Sequence, residues 1–306
     1  MSRSRILLQF DSDSHASVFD AVVAVDAGVD HLMQYAGVTP ERVRDLVHGA
    51  MLTRGPQDLR HTAVFVGGSN VAAGEALLQQ VTSCFFGPLR VSVLLDANGA
   101  NTTAAAAVLS AAQHQPLAGA EAMVLAATGP VGQRAVWLLA RAGSAVRVAS
   151  RNLARAEAVC RDVAARVPGA RLTPVEAGTV AAAAAVLPGT QILIAAGAAG
   201  IELVSAPAWQ ACPSLRVAID LNAVPPLGIS GLQVTDKAVG YRGVAGYGAI
   251  GVGGLKMKIH KAAIAQLFER NDLVLDAEEV YAIGRELTEN LAIVSNKTAA
   301  EMGLEM

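Results

Sequence analysis

Short apolar runs recur along this chain, and behind each comes a break rich in Gly, Asp or Asn and then an amphipathic stretch. Strands that are apolar throughout, rather than on alternate residues, need cover on both faces. The rhythm therefore demands parallel sheets sandwiched between helices. Residues 5–10 (RILLQF), 62–66 (TAVFV) and 91–95 (VSVLL) predict strands, and residues 18–27 a helix. Gly67-Gly68-Ser69-Asn70 closes the second strand, with a helix to about Cys84 behind it. Asp96-Ala97-Asn98-Gly99 closes the third, and a helix opens at Asn101-Thr102-Thr103. Pro and Gly at 113–119 (QHQPLAG) interrupt the helical period, and the pattern then restarts. Strands at 122–126, 145–149, 192–196 and 217–221, with a weaker one at 172–175 and a long helix to about Val167, predict a second, doubly wound unit. Glycine recurs at 243, 246, 248, 251, 253 and 254, marking backbone that turns sharply or lies against a ligand. Helices predicted over 255–269 and 276–290 carry no strands of their own and return to the first unit, and the tail at 295–306 is expected to fray. The fold expected is α/β with two α/β domains. Residues 1–117 plus 252–306 form a discontinuous first domain, and residues 118–251 form a Rossmann-like doubly wound parallel sheet.

Composition removes several function classes. Lys plus Arg number 24 and Asp plus Glu 26 in 306 residues, giving a formal charge of −2, and only 16% of residues are charged. Neither a nucleic-acid binder nor an anionic-membrane binder is built with that balance. The longest charge-free stretch, 177–201, is broken by Leu187-Pro188-Gly189-Thr190, and each half is too short to span a bilayer. With no apolar leader at the N-terminus, a cytoplasmic protein is expected. Cys84, Cys160 and Cys212 lie far apart with no CxxC pair, so they read as packing thiols and no metal site is expected.

The sharpest local signal is AMVLAATGPVGQRAVWLLARAG, residues 122–143. A strand ends in Ala127-Thr128-Gly129-Pro130-Val131-Gly132 and runs into a helix. This is a GxGxxG pattern whose first glycine is Ala127. Gly129 admits a pyrophosphate close to the backbone at the helix N-terminus, and Gly132 admits tight helix–strand contact. An ordinary glycine turn of an α/β fold is the alternative reading. At the end of the next strand, NAD sites place a carboxylate for the ribose hydroxyls, whereas this chain has Ser150-Arg151-Asn152. A carboxylate repels a 2′-phosphate; Arg151 pairs with it through two hydrogen bonds, and Ser150 adds a third. NADP is favoured over NAD, while Arg155, one turn on, reads as a solvated charge. Small residues after the fourth strand of this unit, Ala196-Gly197, leave room for a flat nicotinamide ring. Asn222, in Asp220-Leu221-Asn222-Ala223-Val224-Pro225-Pro226, is placed to bond its carboxamide; a plain connecting loop is the alternative for both segments.

The chain contains no GxSxG elbow, no HExxH, no P-loop lysine and no Cys–His pairing at a recognisable spacing, and His260 reads as a packed or surface residue. Metal-free hydride transfer is the class that remains. One such reaction needs neither acid nor base: oxidation of a CH₂ held between two nitrogens, whose lone pairs push the hydride out and leave an amidinium cation. An enzyme for it supplies positioning and neutral or negative surroundings.

Residues 17–31 (SVFDAVVAVDAGVDH), 62–68 (TAVFVGG), 85–106 (FFGPLRVSVLLDANGANTTAAA), the ATGPVG turn, 220–231 (DLNAVPPLGISG) and 248–269 (GAIGVGGLKMKIHKAAIAQLFE) meet that chemistry in one family. Over about residues 5–285 the chain resembles the NADP-dependent methylene-tetrahydromethanopterin dehydrogenases of methylotrophic bacteria. More distantly it resembles methylene-tetrahydrofolate dehydrogenases. The resemblance implies hydride transfer from methylene-tetrahydromethanopterin to NADP⁺ in formaldehyde-level C1 oxidation, some members also taking the tetrahydrofolate analogue. It further implies an active site in an interdomain cleft and a homo-oligomer, a trimer being the expected form. Carried over by position, it assigns the pterin side to Phe19, Asp20, Asn98, Gly99, Thr102 and Thr103, with Lys256 at the cleft, and catalytic roles to Asp20, Thr102 and Lys256. Asp20 either bonds the amino-pyrimidinone or faces the growing cation. For Asn101-Thr102-Thr103 the competing reading is a helix cap. Lys256 contacts a pterin carbonyl or a cofactor phosphate, since a cation beside a forming amidinium opposes hydride loss. A methylene-tetrahydrofolate or shikimate-type dehydrogenase is the enzyme alternative, and an NADP sensor the non-enzyme one. No lysine-rich groove for a polyglutamate tail speaks for the folate.

Overall fold

A computed structural model describes the backbone of residues 3–301 and the side chains of residues 3–290. In chain order the elements are β1 (Ile6–Asp11), α1 (Val18–Asp26), β2 (His31–Tyr35), α2 (Val43–Met51), β3 (Thr62–Gly67), α3 (Val71–Ser83), β4 (Ser92–Leu95), α4 (Ala100–Ala112), β5 (Glu121–Leu125), α5 (Pro130–Arg141), β6 (Ala145–Ser150) and α6 (Leu153–Arg166). There follow β7 (Arg171–Glu176), α7 (Val180–Ala185), β8 (Ile192–Ala195), α8 (Ala206–Gln210), β9 (Val217–Asp220), β10 (Lys237–Tyr241), β11 (Val244–Tyr247), α9 (Ala249–Gln266), β12 (Val274–Leu275) and α10 (Ala277–Glu301). Packing divides the chain into one unit of residues up to Thr102 together with those from Met257 on, and a second of Thr103–Lys256. Both points of division lie inside helices, α4 and α9, not in the breaks near 117/118 and 251/252 that the sequence favours. Helical periodicity continues through both, so no turn residue marks them.

The first unit is a parallel sheet of order β12-β4-β3-β1-β2. β3 is buried at every residue and β4 likewise, as befits central strands between helices. β2 was invisible to the apolar-run criterion because it is an edge strand with three of its five residues exposed. β12 corrects the expectation of strandless C-terminal helices: it pairs parallel with β4, Val274 beside Val93 and Leu275 beside Leu94. The expectation of a frayed tail meets a helix that continues to Glu301; residues 302–306 lie outside the described residues.

The second unit is a seven-stranded sheet of order β10-β11-β9-β8-β5-β6-β7. From β7 to β9 this is the 3-2-1-4-5 order of a doubly wound dinucleotide fold, with β11 added parallel as the sixth strand. β10 runs antiparallel to β11 at the edge, so the sheet is mixed rather than wholly parallel. The glycine-dense segment serves this packing, which corrects the ligand-facing reading for its central members. A Cβ at Gly246 would meet the Tyr241 ring and Leu232, and one at Gly248 or Gly251 would overlap the backbone of Gln233–Asp236. That close approach also lets α9 begin at Ala249, earlier than helix propensity suggests, because packing overrides the glycine penalty. Among the described residues no helix is long and apolar enough to cross a membrane.

Candidate active site

In an open α/β sheet, ligands settle outside the strand C-termini where the strand order reverses. In the second unit that point lies between β5 and β8. A cavity of about 370 Å³ occupies it, lined by Thr128 and Gly129 behind β5, Ser150, Arg151 and Arg155 around the end of β6, Gly178 and Thr179 behind β7, and Ala196 and Gly197 behind β8. The sequence-predicted cofactor residues Thr128, Gly129, Ser150, Arg151, Ala196 and Gly197 thus share one wall system. Pro130 opens α5 and Val131 follows it, with Gly129 as an N-cap that contributes no side chain. A Cβ at Gly132 would stand 2.8 Å from both the Ala126 carbonyl oxygen and the Ala127 Cα, so helix and strand touch there as only glycine permits. Ala127, in the first-glycine position, is fully buried; the left-handed residue of the turn is its neighbour Ala126, at φ 54°. A non-glycine residue in that region carries about 1 kcal/mol of strain, here beside the cavity. Ser150 is buried and its Oγ accepts the Asn152 N–H at 3.2 Å, which leaves its own proton to donate. Glu202 also reaches the cavity wall, opposite in charge to Arg151 and Arg155.

Asn222 turns its amide on its own loop. Its Nδ2 donates to the Val224 and Pro226 carbonyls at 3.0 and 3.2 Å, and its Oδ1 accepts the Val224 N–H at 2.9 Å. Both ends of the amide hold its own loop, and the residue does not line the cavity. Behind it, the buried Asp220 carboxylate accepts the Asn222 N–H at 3.0 Å and the Ile229 N–H at 2.7 Å. Burial pushes its carboxyl above the usual carboxylate range, while these backbone N–H bonds pull the other way.

In the first unit the strand order reverses between β1 and β3. Asp11 ends β1 and accepts the N–H groups of Asp13 at 2.9 Å and Ser17 at 3.0 Å. Ser17 caps α1 by accepting the Asp20 N–H at 3.2 Å, which fixes the first helical turn with Phe19 and Asp20 on it. The Asp13 carboxylate takes the N–H and hydroxyl of Ser69, each at 2.9 Å, and so ties the β1 loop to the β3 loop. Asn98, left-handed at φ 55°, donates its N–H to the Gly68 carbonyl at 2.6 Å and ties the β4 loop to the same turn, with Gly99 behind it at φ 58°. The Asp20 Oδ2 lies 3.6 Å from where a Cβ on Gly67 would stand. Asp20 and Asn98 therefore converge on Gly67-Gly68, while Phe19 is half exposed at the α1 N-terminus.

The Thr102 side chain is engaged inside the protein. It is fully buried, its Oγ1 donates to Asp96 Oδ2 at 2.6 Å, and its N–H and that of Asn101 go to Asp96 Oδ1 at 3.1 and 2.9 Å. Asn101-Thr102-Thr103 are not the cap themselves: they lie inside α4, and Asp96 ahead of the helix is the acceptor. Thr102→Val should therefore cost about 1–3 kcal/mol, the usual range for leaving a buried partner short of a hydrogen bond, read as a lower urea midpoint. A loss of turnover without that loss of stability would return Thr102 to a chemical role. Thr103 is half-buried, as is Lys256 on α9.

Comparison with known proteins brings these two crevices under one description. The family described as methylene-tetrahydromethanopterin dehydrogenase, N-terminal, matches residues 18–98, the span from α1 to Asn98. The bifunctional protein MdtA of Methylorubrum extorquens is 45% identical over 285 residues, covering 92% of this chain and 99% of that protein. The NAD(P)-dependent methylenetetrahydromethanopterin dehydrogenase of the same organism is 30% identical over 298 residues, covering 94% and 99%. The chain belongs to the methylene-tetrahydromethanopterin dehydrogenase family. It is an oxidoreductase of that kind, and the dinucleotide fold of its second unit is the part that fits NAD(P). Among solved structures, a quinate dehydrogenase from Corynebacterium glutamicum in complex with NAD aligns over 92% of this chain and 98% of its own at 13% identity and a TM-score of 0.48, too distant to carry a residue across.

Sequence reasoning on this methylene-tetrahydromethanopterin dehydrogenase missed two kinds of residue. Asp11, Asp96 and Asp220 each close an apolar run, and each anchors the loop that follows by accepting its N–H groups. An aspartate directly behind a buried strand is the signal that could have found them. The other is His260, whose contacts come from distant segments and leave no local pattern.

Proposed function

We propose that this member of the family oxidises methylene-tetrahydromethanopterin to methenyl-tetrahydromethanopterin with NADP⁺, in C1 oxidation, as a cytoplasmic homo-oligomer. The 45% identity to MdtA over nearly the full length of both chains carries the reading. The cavity residues support the choice of nucleotide. Arg151 offers a two-pronged pair of N–H donors to a 2′-phosphate, and Ser150 offers its hydroxyl. Arg155 and Thr179 line the same wall, and no carboxylate stands at the end of β6, where a ribose-binding acid belongs. The cavity around Gly129, Ser150 and Arg151 would hold NADP⁺, whose nicotinamide would supply the hydride acceptor.

The chain's own groups then have a restricted task. No proton needs to move in the oxidation of the aminal carbon, so the first unit needs no titrating base. Phe19 gives an apolar face for a flat ring, and the Asn98-Gly99 turn presents backbone and amide groups beside Gly68. The Asp20 carboxylate supplies negative charge for the cation that grows as hydride leaves. Thr103 and Lys256 complete the pterin side, Lys256 on a carbonyl or phosphate oxygen.

Initial rates with methylene-tetrahydromethanopterin and methylene-tetrahydrofolate, each offered NADP⁺ and NAD⁺, test the reading. The methanopterin substrate with NADP⁺ should be the fastest pair. Faster turnover with NAD⁺ would overturn the role given to Ser150 and Arg151 while leaving the pterin. Tight NADP⁺ binding with neither pterin turned over would favour a sensor.

A further inference from the structure

We infer that His260 is a positioning residue that holds the Asp20 carboxylate in its working orientation. This rests on the proposed role of Asp20 and extends it by naming what keeps that side chain in place. His260 lies on α9 with its imidazole completely buried. Its Nε2 stands 4.0 Å from Asp20 Oδ1, which is ion-pair reach rather than a hydrogen bond. The ring is stacked on Phe65 of β3, centroids 5.6 Å apart and planes 26° apart, and Phe19 covers it at 6.4 Å. Phe65 is itself buried in the middle of a central strand, so the imidazole is clamped and has little rotamer freedom.

The two carboxylate oxygens of Asp20 therefore face different neighbours: Oδ1 the imidazole, Oδ2 the Gly67 turn. A Cβ on Gly67 would stand 3.0 Å from Phe65 and crowd the ring on which His260 stacks. Asp11 and Asp13, the other acids at the turn, accept from Asp13 and Ser17 and from Ser69 respectively. Residues from α1, β3 and α9 thus fix one charge at the mouth of the β1/β3 crevice.

His260→Phe keeps the stack on Phe65 and removes the nitrogen, whereas His260→Gln places an amide nitrogen near the position of Nε2. If His260 orients Asp20, His260→Phe lowers kcat by roughly tenfold to a hundredfold, the cost of a small misplacement of a working group, and leaves the KM for NADP⁺ unchanged. His260→Gln should recover most of the rate, and Asp20→Asn combined with His260→Phe should be no slower than Asp20→Asn alone. Unchanged kcat in His260→Phe, or multiplicative losses in the double variant, would overturn the inference. A second measurement needs no pterin: the imidazole ¹⁵N resonances of His260, identified by their absence in His260→Gln, should shift in Asp20→Asn. Unmoved resonances overturn the coupling even if neither pterin is turned over, and a shift supports it even then. Failure of the wild-type protein to oxidise a pterin counts against the proposed function alone.

Discussion

Asp20→Asn lowers kcat for methylene-tetrahydromethanopterin oxidation by about a hundredfold to a thousandfold, the usual loss when one preorganised electrostatic group is removed from a forming charge. The substitution keeps the shape, deletes the negative charge and turns one acceptor oxygen into an NH₂ donor. The Ser17 cap is untouched, because it receives the backbone N–H of residue 20 and not its side chain. Stability should change little for that reason, and the Phe19 and His260 contacts keep their places. The neutral aminal carries no positive charge before hydride leaves, so the carboxylate interacts more strongly with the transition state than with the substrate, and the loss falls on kcat. Single-turnover rates with the pterin and NADP⁺ binding by titration separate the arms. A raised KM for the pterin at unchanged kcat would instead assign Asp20 to the amino-pyrimidinone edge.

Arg151→Ala raises the KM for NADP⁺ by roughly tenfold to a hundredfold, with kcat at saturating NADP⁺ nearly unchanged. Hydrogen bonds to a charged group contribute about 1.5–3 kcal/mol, and a tenfold effect corresponds to about 1.4 kcal/mol. The 2′-phosphate is far from the reacting carbon in the cofactor itself, so binding it is uniform through the reaction and belongs in KM. NAD⁺ lacks that group, and its KM should stay where it was or fall. The effect should also weaken in high salt, because Arg151 is exposed at the cavity wall and a charged contact there is screened. Equal losses for NADP⁺ and NAD⁺ would show that Arg151 supports the cavity rather than reading the phosphate.

The strands that position both crevices were legible because each is apolar on both faces, a pattern that belongs to parallel sheets between helices. β1, β3, β4, β5, β6, β8 and β9 were found within a residue or so on that ground. β2 and β10 escaped because edge strands expose their residues, and β12 because two residues carry no periodicity. Near the cofactor cavity, Gly129, Gly132, Ser150 and Arg151 could be named from local context, since the turn and the strand end that hold them are contiguous in sequence. Asn222 and Thr102 have partners inside the protein that the sequence did not foretell, for one shared reason. A polar residue at a strand end looks the same in sequence whether it faces a ligand or its own loop, and only the partners of its amide or hydroxyl decide. His260 lay beyond reach because its significance comes from Asp20 and Phe65, far away along the chain.

The three strand-closing aspartates have a consequence for how such an enzyme can change over time. Asp11, Asp96 and Asp220 grip their loops by main-chain N–H groups, which every residue but proline possesses. Those N–H contacts are indifferent to which side chains the loop displays, whereas the Thr102 hydroxyl on Asp96 is a side-chain contact. Residues at the loop tips can therefore be exchanged, and the preference among related pterins can drift, without the scaffold having to be reinvented at each step. Evolvability of this kind resides in the anchors, and a library that fixes those aspartates while varying residues 14–16 and 223–227 is where altered specificity should be sought.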